Sequence, residues 1–449
     1  MSAAPHRRVP PEAPARRGWC PGLAKPMPTG DGLLARVHPP LGILTLDQAR
    51  AVADGARRFG NGHLDLTARA NLQIRGVSEA TRVPLAAWLA ARGLGDARAD
   101  GGPQRLTLTS PLAGHDPDET IDVPALAAAI EAAGLATPGL PAKTLVVVEG
   151  RPGRAVPEAD LCAVAEGPGV VAIAVARGET SRTLLTCTED AAPGHVAALL
   201  GAFAGTGRRR MRDLADDELA ALTEALRSGR PAPPIGPAYT RRGFAPEREP
   251  ARPARGSDLR GVAIDAPFGR CTADALDRVA AAATAVGTDA IRLSPTRGFV
   301  LLVPATAFDA AAAATAALAS EFIVVPDDPR RAIAACTGAP GCASGSTPTL
   351  TDAARLAAAF GPLAGAGRAA HVSGCAKGCA RPGPADLTLV GRDGRYGVVI
   401  GGAPGDEPAM DLPIEAVLER LGRAEIDGLS AAFAPEITPS ACGRTRRPA

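Results

Sequence analysis

The stretch PPLGILTLDQARAVADGA, residues 39–56, is matched later in the chain by APFGRCTADALDRVAAAA, residues 266–283. The two stretches align without a gap at an offset of 227 residues. The alignment pairs a proline, a glycine and a threonine with their own kind: Pro40 with Pro267, Gly42 with Gly269, and Thr45 with Thr272. At the same offset LDLTARANLQI, residues 64–74, falls on IRLSPTRGFVL, residues 291–301. This similarity indicates an internal duplication.

Each copy has the same predicted local structure. A glycine-containing loop leads to Thr45 or Thr272, whose hydroxyl can cap a helix that begins at the next residue. The helices are predicted to end near Arg58 and Ala285. A strand with alternating apolar positions should follow each helix.

The duplication predicts an α+β protein with two halves, each formed by a small unit and a larger α/β unit. KTLVVVEG from Lys143 and VVAIAVA from Val170 are predicted strands of the first larger unit. The predicted segments are a disordered lead at 1–18, a small unit at 19–90, a larger unit at 95–225, a Pro/Arg-rich connector at 226–254, a second small unit at 255–320 and a second larger unit at 325–440.

The composition excludes several classes of protein. A net charge of +2 argues against bulk-charge binding of nucleic acid or a membrane surface. No apolar run reaches the roughly 20 residues of a membrane helix, and no apolar core follows the N-terminal arginines. We therefore expect a cytoplasmic protein with reduced thiols, in which the nine cysteines are ligands or spectators.

Four cysteines form two close pairs near the C-terminus. Cys336 and Cys342 have C-x₅-C spacing, and Cys375 and Cys379 have C-x₃-C spacing. Zinc sites usually use shorter spacings, whereas iron–sulfur cubanes take four thiolates from looping, glycine-rich backbone. The pattern favours a [4Fe–4S] cluster, with zinc and disulfides as alternatives.

With these cysteines and the duplication, the segment TARANLQIRG from Thr67 resembles the siroheme-dependent nitrite/sulfite reductase family. TSPLAGHDPDE from Thr109 and VGRDGRYGVVIGG from Val390 are also similar to that family. The resemblance covers nearly the whole chain after about residue 18. It implies that the small units are ferredoxin-like and that the larger ones have the α/β fold of these reductases. It also implies that a tetrapyrrole lies between the halves beside the cluster, with Cys379 bridging to a siroheme iron.

A tetrapyrrole with eight carboxylates needs several fixed cations, preferably arginines that can fork onto a carboxylate. The resemblance assigns this role to one set in the first copy: Arg69, Asn71, Gln73 and Arg75. We expect Arg69 and Arg75 to share one face of a strand because their positions have the same parity. The second copy has lost this polar set, although Arg297 lies one place away from it.

The chain departs from these reductases in the segment PAKTL. Lys143 is retained, but Leu145 stands where the family has a second lysine that helps to bind and protonate a small anion. Arg105 matches another anion-site arginine of the family. CPGL at Cys20 and GDGLLARV from Gly30 resemble the branch that acts in aerobic cobalamin biosynthesis. The resemblance implies O₂-dependent hydroxylation of precorrin-3A at C20, with closure of a γ-lactone.

That branch also implies a mononuclear non-haem iron, for which two histidines and a carboxylate are usual ligands. His115, Asp116 and His371 are candidates, but a structural or solvent-exposed role is favoured for each histidine, so the sequence does not assign the ligands of this iron. No dinucleotide-binding fingerprint follows a predicted strand, so electrons should come from an NAD(P)H-linked donor protein. A siroheme-dependent nitrite or sulfite reductase and a non-catalytic iron–sulfur electron-transfer subunit are the alternative functions.

Overall fold

The computed structural model describes residues 19–177, 180–227 and 259–434. The predicted lead, nearly all of the connector and the residues beyond 434 lie outside this range. The described residues form two compact units: residues 19–22, 96–109 and 119–227 make the first unit, and residues 23–95, 110–118 and 259–434 make the second unit.

The first small half-domain belongs to the second unit. Its elements are β1 (Met27–Thr29), β2 (Gly32–Val37), β3 (Ile43–Thr45), α1 (Leu46–Phe59), β4 (His63–Leu66), β5 (Leu72–Val77) and α2 (Glu79–Ala90). Thr45 caps α1 as predicted, because its Oγ1 accepts a hydrogen bond from the Gln48 N–H at 3.2 Å. The Gln48 side chain accepts from the Thr45 N–H in return, which completes a capping box.

The first larger α/β domain forms most of the first unit. Its elements are β6 (Thr107–Leu108), α3 (Val123–Ala136), β7 (Val146–Glu149), β8 (Leu161–Gly167), β9 (Val170–Arg177), β10 (Thr180–Thr188), α4 (Ala192–Gly205) and α5 (Asp216–Arg227). The sheet has the order β10-β9-β8-β7-β6. Strands β6 to β8 are parallel, and β9 and β10 are antiparallel to their neighbours.

The second small half-domain repeats the first. Its elements are β11 (Leu259–Asp265), β12 (Arg270–Thr272), α6 (Ala273–Ala285), β13 (Ala290–Ser294), β14 (Gly298–Pro304) and α7 (Phe308–Ala316). Thr272 caps α6 through a 3.1 Å hydrogen bond from the Ala275 N–H, and α6 ends at the predicted residue. The local signals of the duplicated sequence therefore form the same elements twice.

The second larger α/β domain repeats the sheet order of the first. Its elements are β15 (Ile333–Ala335), α8 (Thr349–Gly365), β16 (Ala370–Ser373), β17 (Ala385–Arg392), β18 (Arg395–Gly402), β19 (Met410–Leu412), α9 (Ile414–Asp427) and α10 (Leu429–Ala432). The order is β15-β16-β17-β18-β19, with β15 to β17 parallel and the last two antiparallel. The predicted α+β class with duplicated halves is confirmed.

The two small half-domains exchange their short strands. β12 of the second pairs with β4 of the first, and β3 of the first pairs with β13 of the second. Both exchanged strands follow a 3₁₀ turn with a left-handed residue, Leu41 at φ 51° and Phe268 at φ 57°. The exchange completes each sheet with a strand of the other copy and places residues of both copies side by side.

The core of the second larger domain fixes which side chains face away from it. Ala370 and Val372 of β16 are fully buried in a cluster with Leu356 and Phe360 of α8. Because side chains alternate along a strand, His371 points to the opposite face of the sheet. Among the described residues, no helix has the length and apolar character needed to cross a membrane.

Candidate functional site

Two loops at one edge of the second larger sheet carry the four predicted cluster ligands. Cys336 directly follows β15, and Cys375 comes two residues after β16. β15 and β16 are neighbouring parallel strands, so their carboxyl ends lie at the same edge. The Gly374 N–H donates to Cys336 Sγ at 3.1 Å. The fold therefore brings the two cysteine pairs, far apart in sequence, into contact.

Glycines allow the two loops to approach each other this closely. A Cβ on Gly374 would lie 3.1 Å from the Gly338 Cα and 3.2 Å from the Gly345 Cα. A Cβ on Gly345 would lie 2.9 Å from the Gly338 carbonyl carbon, a distance that real side chains do not adopt. A larger residue at Gly374 would separate the two loops and one at Gly345 would open the first loop itself, so this packing explains these glycines.

The four thiols are electrostatically coupled. Desolvation of the Cys379 thiol and the neighbouring Cys336 and Cys375 raise the pKa of Cys379, and Cys342 adds to this effect. If all four groups were ionised, they would need a positive centre to compensate their charge. Loops whose amides donate to cysteine sulfur provide the surroundings in which an iron–sulfur cluster is held.

The described part of the chain contains no disulfide. Within the same residues, no group of three or more His, Cys, Asp or Glu side chains is arranged to hold a single metal ion. A tetrahedral zinc site would place its sulfurs about 2.3 Å from one ion. A cubane instead takes each thiolate at a separate iron, so its ligands stand farther apart.

Arg75 connects the first small half-domain to the first cysteine loop. Its side chain is only 3% exposed. Nε and Nη2 donate to the two carboxylate oxygens of Asp31 at 2.9 and 2.6 Å, and Nη1 donates to Asp65 at 3.0 Å. Nη2 also donates to the carbonyl of Gly341, the neighbour of Cys342. The carboxylates that Arg75 binds are therefore those of the protein.

Asp65 extends this network into the second half. Its Oδ1 accepts from Nε of Arg270 at 2.6 Å, and Arg270 Nη2 donates to Thr337 Oγ1 at 3.2 Å. Thr337 directly follows Cys336. Sequence reasoning missed Asp31, Asp65 and Arg270, because nothing local marks them. Their pairing depends on the exchange of β12 onto β4.

The other predicted anion-binding residues lie around the same sheet. Gln73 faces Arg36 on the neighbouring strand, and its side-chain oxygen accepts from Arg36 Nη2 at 2.6 Å and from Nε at 3.0 Å. Asn71 is 5% exposed, and its side-chain oxygen has no partner among the described residues. Within β5, Gln73 and Arg75 alternate with the buried Leu72 and Ile74 and so share the other face of the strand, whereas Asn71 directly precedes β5.

Arg69 does not lie in a strand, so the predicted strand face that would relate it to Arg75 was wrong. β4 ends at Leu66 and β5 begins at Leu72. Arg69 belongs to the intervening turn, in which its N–H donates to Thr67 Oγ1 at 3.3 Å. The left-handed φ of 51° at Ala70 interrupts the extended chain.

The equivalent turn of the second half-domain contains Arg297. This cation has no cationic counterpart at the aligned position of the first copy. Arg297 occupies the position of Ala70 and adopts a φ of 67°. Its Nη2 donates to the carbonyl of Ala380, the neighbour of Cys379, at 3.0 Å. Burial lowers the pKa of Arg297, which makes no ion pair within the described ranges. The second half thus places an unpaired positive charge beside a cysteine loop.

The candidate ligands of a mononuclear iron do not form a metal site. His371 is fully buried on β16, and both of its ring nitrogens lack partners within the described ranges. Burial lowers the pKa of His371 to about 4, with contributions from Arg381 and Arg297. Burial and Arg292 lower the pKa of His115. Asp116 is buried, and its Oδ1 accepts from the Asp118 N–H at 3.0 Å.

Arg105 and Lys143 belong to the first unit. Arg105 is buried just before β6, and Lys143 is exposed in the turn before β7. Leu145, which replaces the family's second lysine, is buried at 4% exposure, and its N–H donates to Asp160 at 3.0 Å. Leu145 is therefore a core residue of this domain, and its position leaves no room for a hydrated cation.

The fold and the site together define a duplicated α+β protein with four cysteines on two adjoining loops. Comparison with known proteins agrees with the fold. Residues 25–92 match the nitrite/sulfite reductase ferredoxin-like half domain. The structure of the Mycobacterium tuberculosis NirA protein is similar with a TM-score of 0.70 and 22% identity, over 87% of this chain and 80% of that one. A ferredoxin–nitrite reductase from Leptolyngbya laminosa is 34% identical over 24% of this chain and 21% of its own length.

A precorrin-3B synthase from Sinorhizobium sp. is 37% identical over 428 residues, which are 92% of this chain and 89% of that protein. The chain belongs to the nitrite/sulfite reductase-like superfamily and within it resembles precorrin-3B synthase. The family predicted from the sequence is confirmed, and the protein is an enzyme of the oxidoreductase class.

Proposed function

We propose that the protein is a cytoplasmic precorrin-3B synthase of cobalamin biosynthesis. In this reaction one atom of O₂ becomes a hydroxyl at C20 of precorrin-3A, an acetate side chain closes a γ-lactone, and two electrons and two protons reduce the other oxygen atom to water. The observation that carries the proposal is the 37% identity that runs through 92% of the chain. The substitution of a buried leucine for the second anion-site lysine also supports it.

Cys336, Cys342, Cys375 and Cys379 would hold a [4Fe–4S] cluster. The residues fit this group: the donor set is four thiols, glycines bring the two loops together, and the Gly374 N–H already donates to a cysteine sulfur. When bound, a cluster of this kind supplies single-electron transfer. An NAD(P)H-linked donor protein would supply the electrons.

The described residues do not fit a mononuclear non-haem iron, since His115, Asp116 and His371 do not form a set of ligands. His371 in particular is enclosed in the sheet and carries no partner on either ring nitrogen. Its neutral, buried imidazole belongs to the surroundings of the cysteine loops.

Precorrin-3A has the same rim of carboxylates as the precursor of siroheme, so a positively charged pocket should bind it. Arg69, Asn71 and Gln73 are our proposed contacts from the first half-domain, and Arg297 is the proposed contact from the second. Arg297 makes no ion pair within the described ranges, and this supports its choice, because a buried charge requires a counter-charge. Arg105 and Lys143 are proposed to bind the substrate or to move a proton at the reacting centre.

A siroheme-dependent nitrite or sulfite reductase is the second candidate, favoured by the partial similarity to a ferredoxin–nitrite reductase. The two functions differ in what the purified protein should contain. A reductase of this kind would carry tightly bound siroheme and show its visible spectrum. A precorrin-3B synthase would bind its macrocycle reversibly as a substrate.

The deciding experiment is a reaction of anaerobically reconstituted protein with precorrin-3A, a reductant and ¹⁸O₂. We expect one ¹⁸O atom in the product by mass spectrometry, and no label when ¹⁸O-water replaces labelled oxygen. A product without label, together with turnover of nitrite or sulfite, would reject the proposed function.

A further inference from the structure

We propose that Asp31, Asp65, Arg75 and Arg270 form an ionic clamp that holds the Cys336–Cys342 loop in its ligating conformation. In this proposal Arg75 is a positioning residue and not a contact of the substrate. The inference rests on the proposed cluster, because it assigns these residues a role toward the cysteines that would bind it.

Arg75 attaches the clamp to the end of the loop next to Cys342. Three of its four hydrogen bonds go to the carboxylates of Asp31 and Asp65, and the fourth goes to the carbonyl of Gly341. Burial opposes its charge, but the two carboxylates outweigh burial and raise the pKa of Arg75. A guanidinium that is paired on both sides has a fixed orientation, so it defines where the Gly341 carbonyl lies.

The turn between β1 and β2 binds the same group, the Gly341 carbonyl. The Gly30 N–H donates to the Gly341 carbonyl at 3.1 Å, so this carbonyl accepts from both the turn and Arg75. A Cβ on Gly30 would lie 2.2 Å from the Pro340 carbonyl oxygen, which shows how closely turn and loop pack. Asp31 is held in place by Thr29 Oγ1 at 2.8 Å.

Arg270 attaches the clamp to the other end of the loop, next to Cys336. This residue binds Asp65 at 2.6 Å and Thr337 at 3.2 Å, and Thr337 is covalently joined to Cys336. Both ends of the loop are thus attached to one charged network, which draws on both small half-domains. A preordered loop lowers the conformational entropy that cluster binding would otherwise cost.

Charge balance also argues that the clamp is not a site for substrate carboxylates. Its two guanidinium groups face two carboxylates, so its net charge is zero. A further anion would need to displace Asp31 or Asp65 from a side chain that is almost fully buried. Arg297 makes no ion pair within the described ranges, although the charge of Asp65 acts on it.

The test measures loop order without a cluster and retention of iron with it. Apo protein carrying R75Q, R270Q or T337V would be compared with wild type by amide hydrogen exchange of peptides that cover residues 337–345. Reconstituted protein would be compared by the rate at which a chelator removes its iron. The matched control is R57Q, because Arg57 binds Asp274 and Asp277 across the half-domains on exposed helices away from the loop.

We expect loop exchange and iron loss to be at least about tenfold faster in R270Q, because this variant loses the charged hydrogen bonds to both Asp65 and Thr337. The effect should be larger in R75Q, smaller in T337V and absent in R57Q. If R75Q does not fold, the same measurements on R270Q and T337V test the clamp. Loop exchange and iron loss that stay at the wild-type rate in both variants would overturn the clamp. Wild type that binds no iron or sulfide would refute the proposed cluster, while the exchange measurement would still decide the clamp.

Discussion

Asp65 of the first half-domain and Arg270 of the second face each other across the exchanged strand pair β4–β12, with Nε 2.6 Å from Oδ1. The same carboxylate binds Arg75 through its other oxygen at 3.0 Å. One side chain therefore joins both copies of the duplicated sequence and stands next to the cysteine loops. The site depends on the duplication as a whole, since neither copy contains this network by itself.

The cysteines provide the first prediction. Replacing Cys342 by serine should reduce iron and acid-labile sulfide to a small fraction of the wild-type content, because a cubane needs four thiolates. Cys187 lies outside the two loops, so C187S is the control and should bind as much iron as wild type. Metal analysis and sulfide assay after anaerobic reconstitution measure both. Equal iron in the two variants would contradict the assignment.

The buried ion pairs of Arg75 should stabilise the protein more than the exposed ion pairs of Arg57 do. R75Q leaves buried carboxylates without a partner and should lower the free energy of unfolding by about 3–5 kcal/mol. R57Q removes exposed pairs and should lower it by roughly 1 kcal/mol or less. Urea denaturation of the apo proteins makes the comparison. A similar loss of unfolding free energy in R75Q and R57Q would show that burial does not increase the contribution of the Arg75 ion pairs to stability.

Macrocycle binding should depend on Arg69. Removing one charged hydrogen-bond donor costs about 1.5–3 kcal/mol, so R69A should weaken binding roughly 10- to 150-fold. The exposed Arg82, paired with Glu79 on α2, gives the control variant R82A. Fluorescence titration with uroporphyrin, an octacarboxylate, measures the dissociation constant, and iron analysis verifies that the cluster is retained. An unchanged constant for R69A would remove this residue from the proposed pocket.

Acid should destabilise the apo protein through His371. Its pKa is lowered to about 4 from an ordinary 6.5, so the unfolded chain takes up the proton first. The stability that the neutral imidazole provides is complete above pH 6.5 and is lost as the pH falls toward 4. Between pH 7.5 and 5 this loss amounts to about 2 kcal/mol.

The variant H371Q cannot take up this proton and serves as the comparison for that prediction. Urea denaturation at both pH values should give a smaller loss of stability for H371Q than for wild type, by about the same 2 kcal/mol. All other titrating groups are common to both proteins and cancel in the difference. An equal loss of unfolding free energy in H371Q and wild type would show that the buried His371 imidazole does not contribute to the pH dependence of stability.

Much of the fold could be read from local signals. The hydroxyls of Thr45 and Thr272 predicted both helix starts, and the offset between the copies predicted the repeated elements. Arg69 was misplaced because nothing in the letters TARANLQIR shows that Ala70 adopts a left-handed conformation. Leu145 was recognised as a departure, but only its burial shows that it is a core residue.

The sequence by itself determined the duplication, the superfamily and the four cysteines, because these depend on residue types and spacings along the chain. Only the tertiary structure shows the contacts of Arg75, whose partners Asp31 and Gly341 lie 44 and 266 residues away. Burial and ion pairing depend on which segments meet in space. Here an exchanged strand and a glycine-rich cysteine loop meet, so a predicted ligand-binding arginine has its partners within the protein.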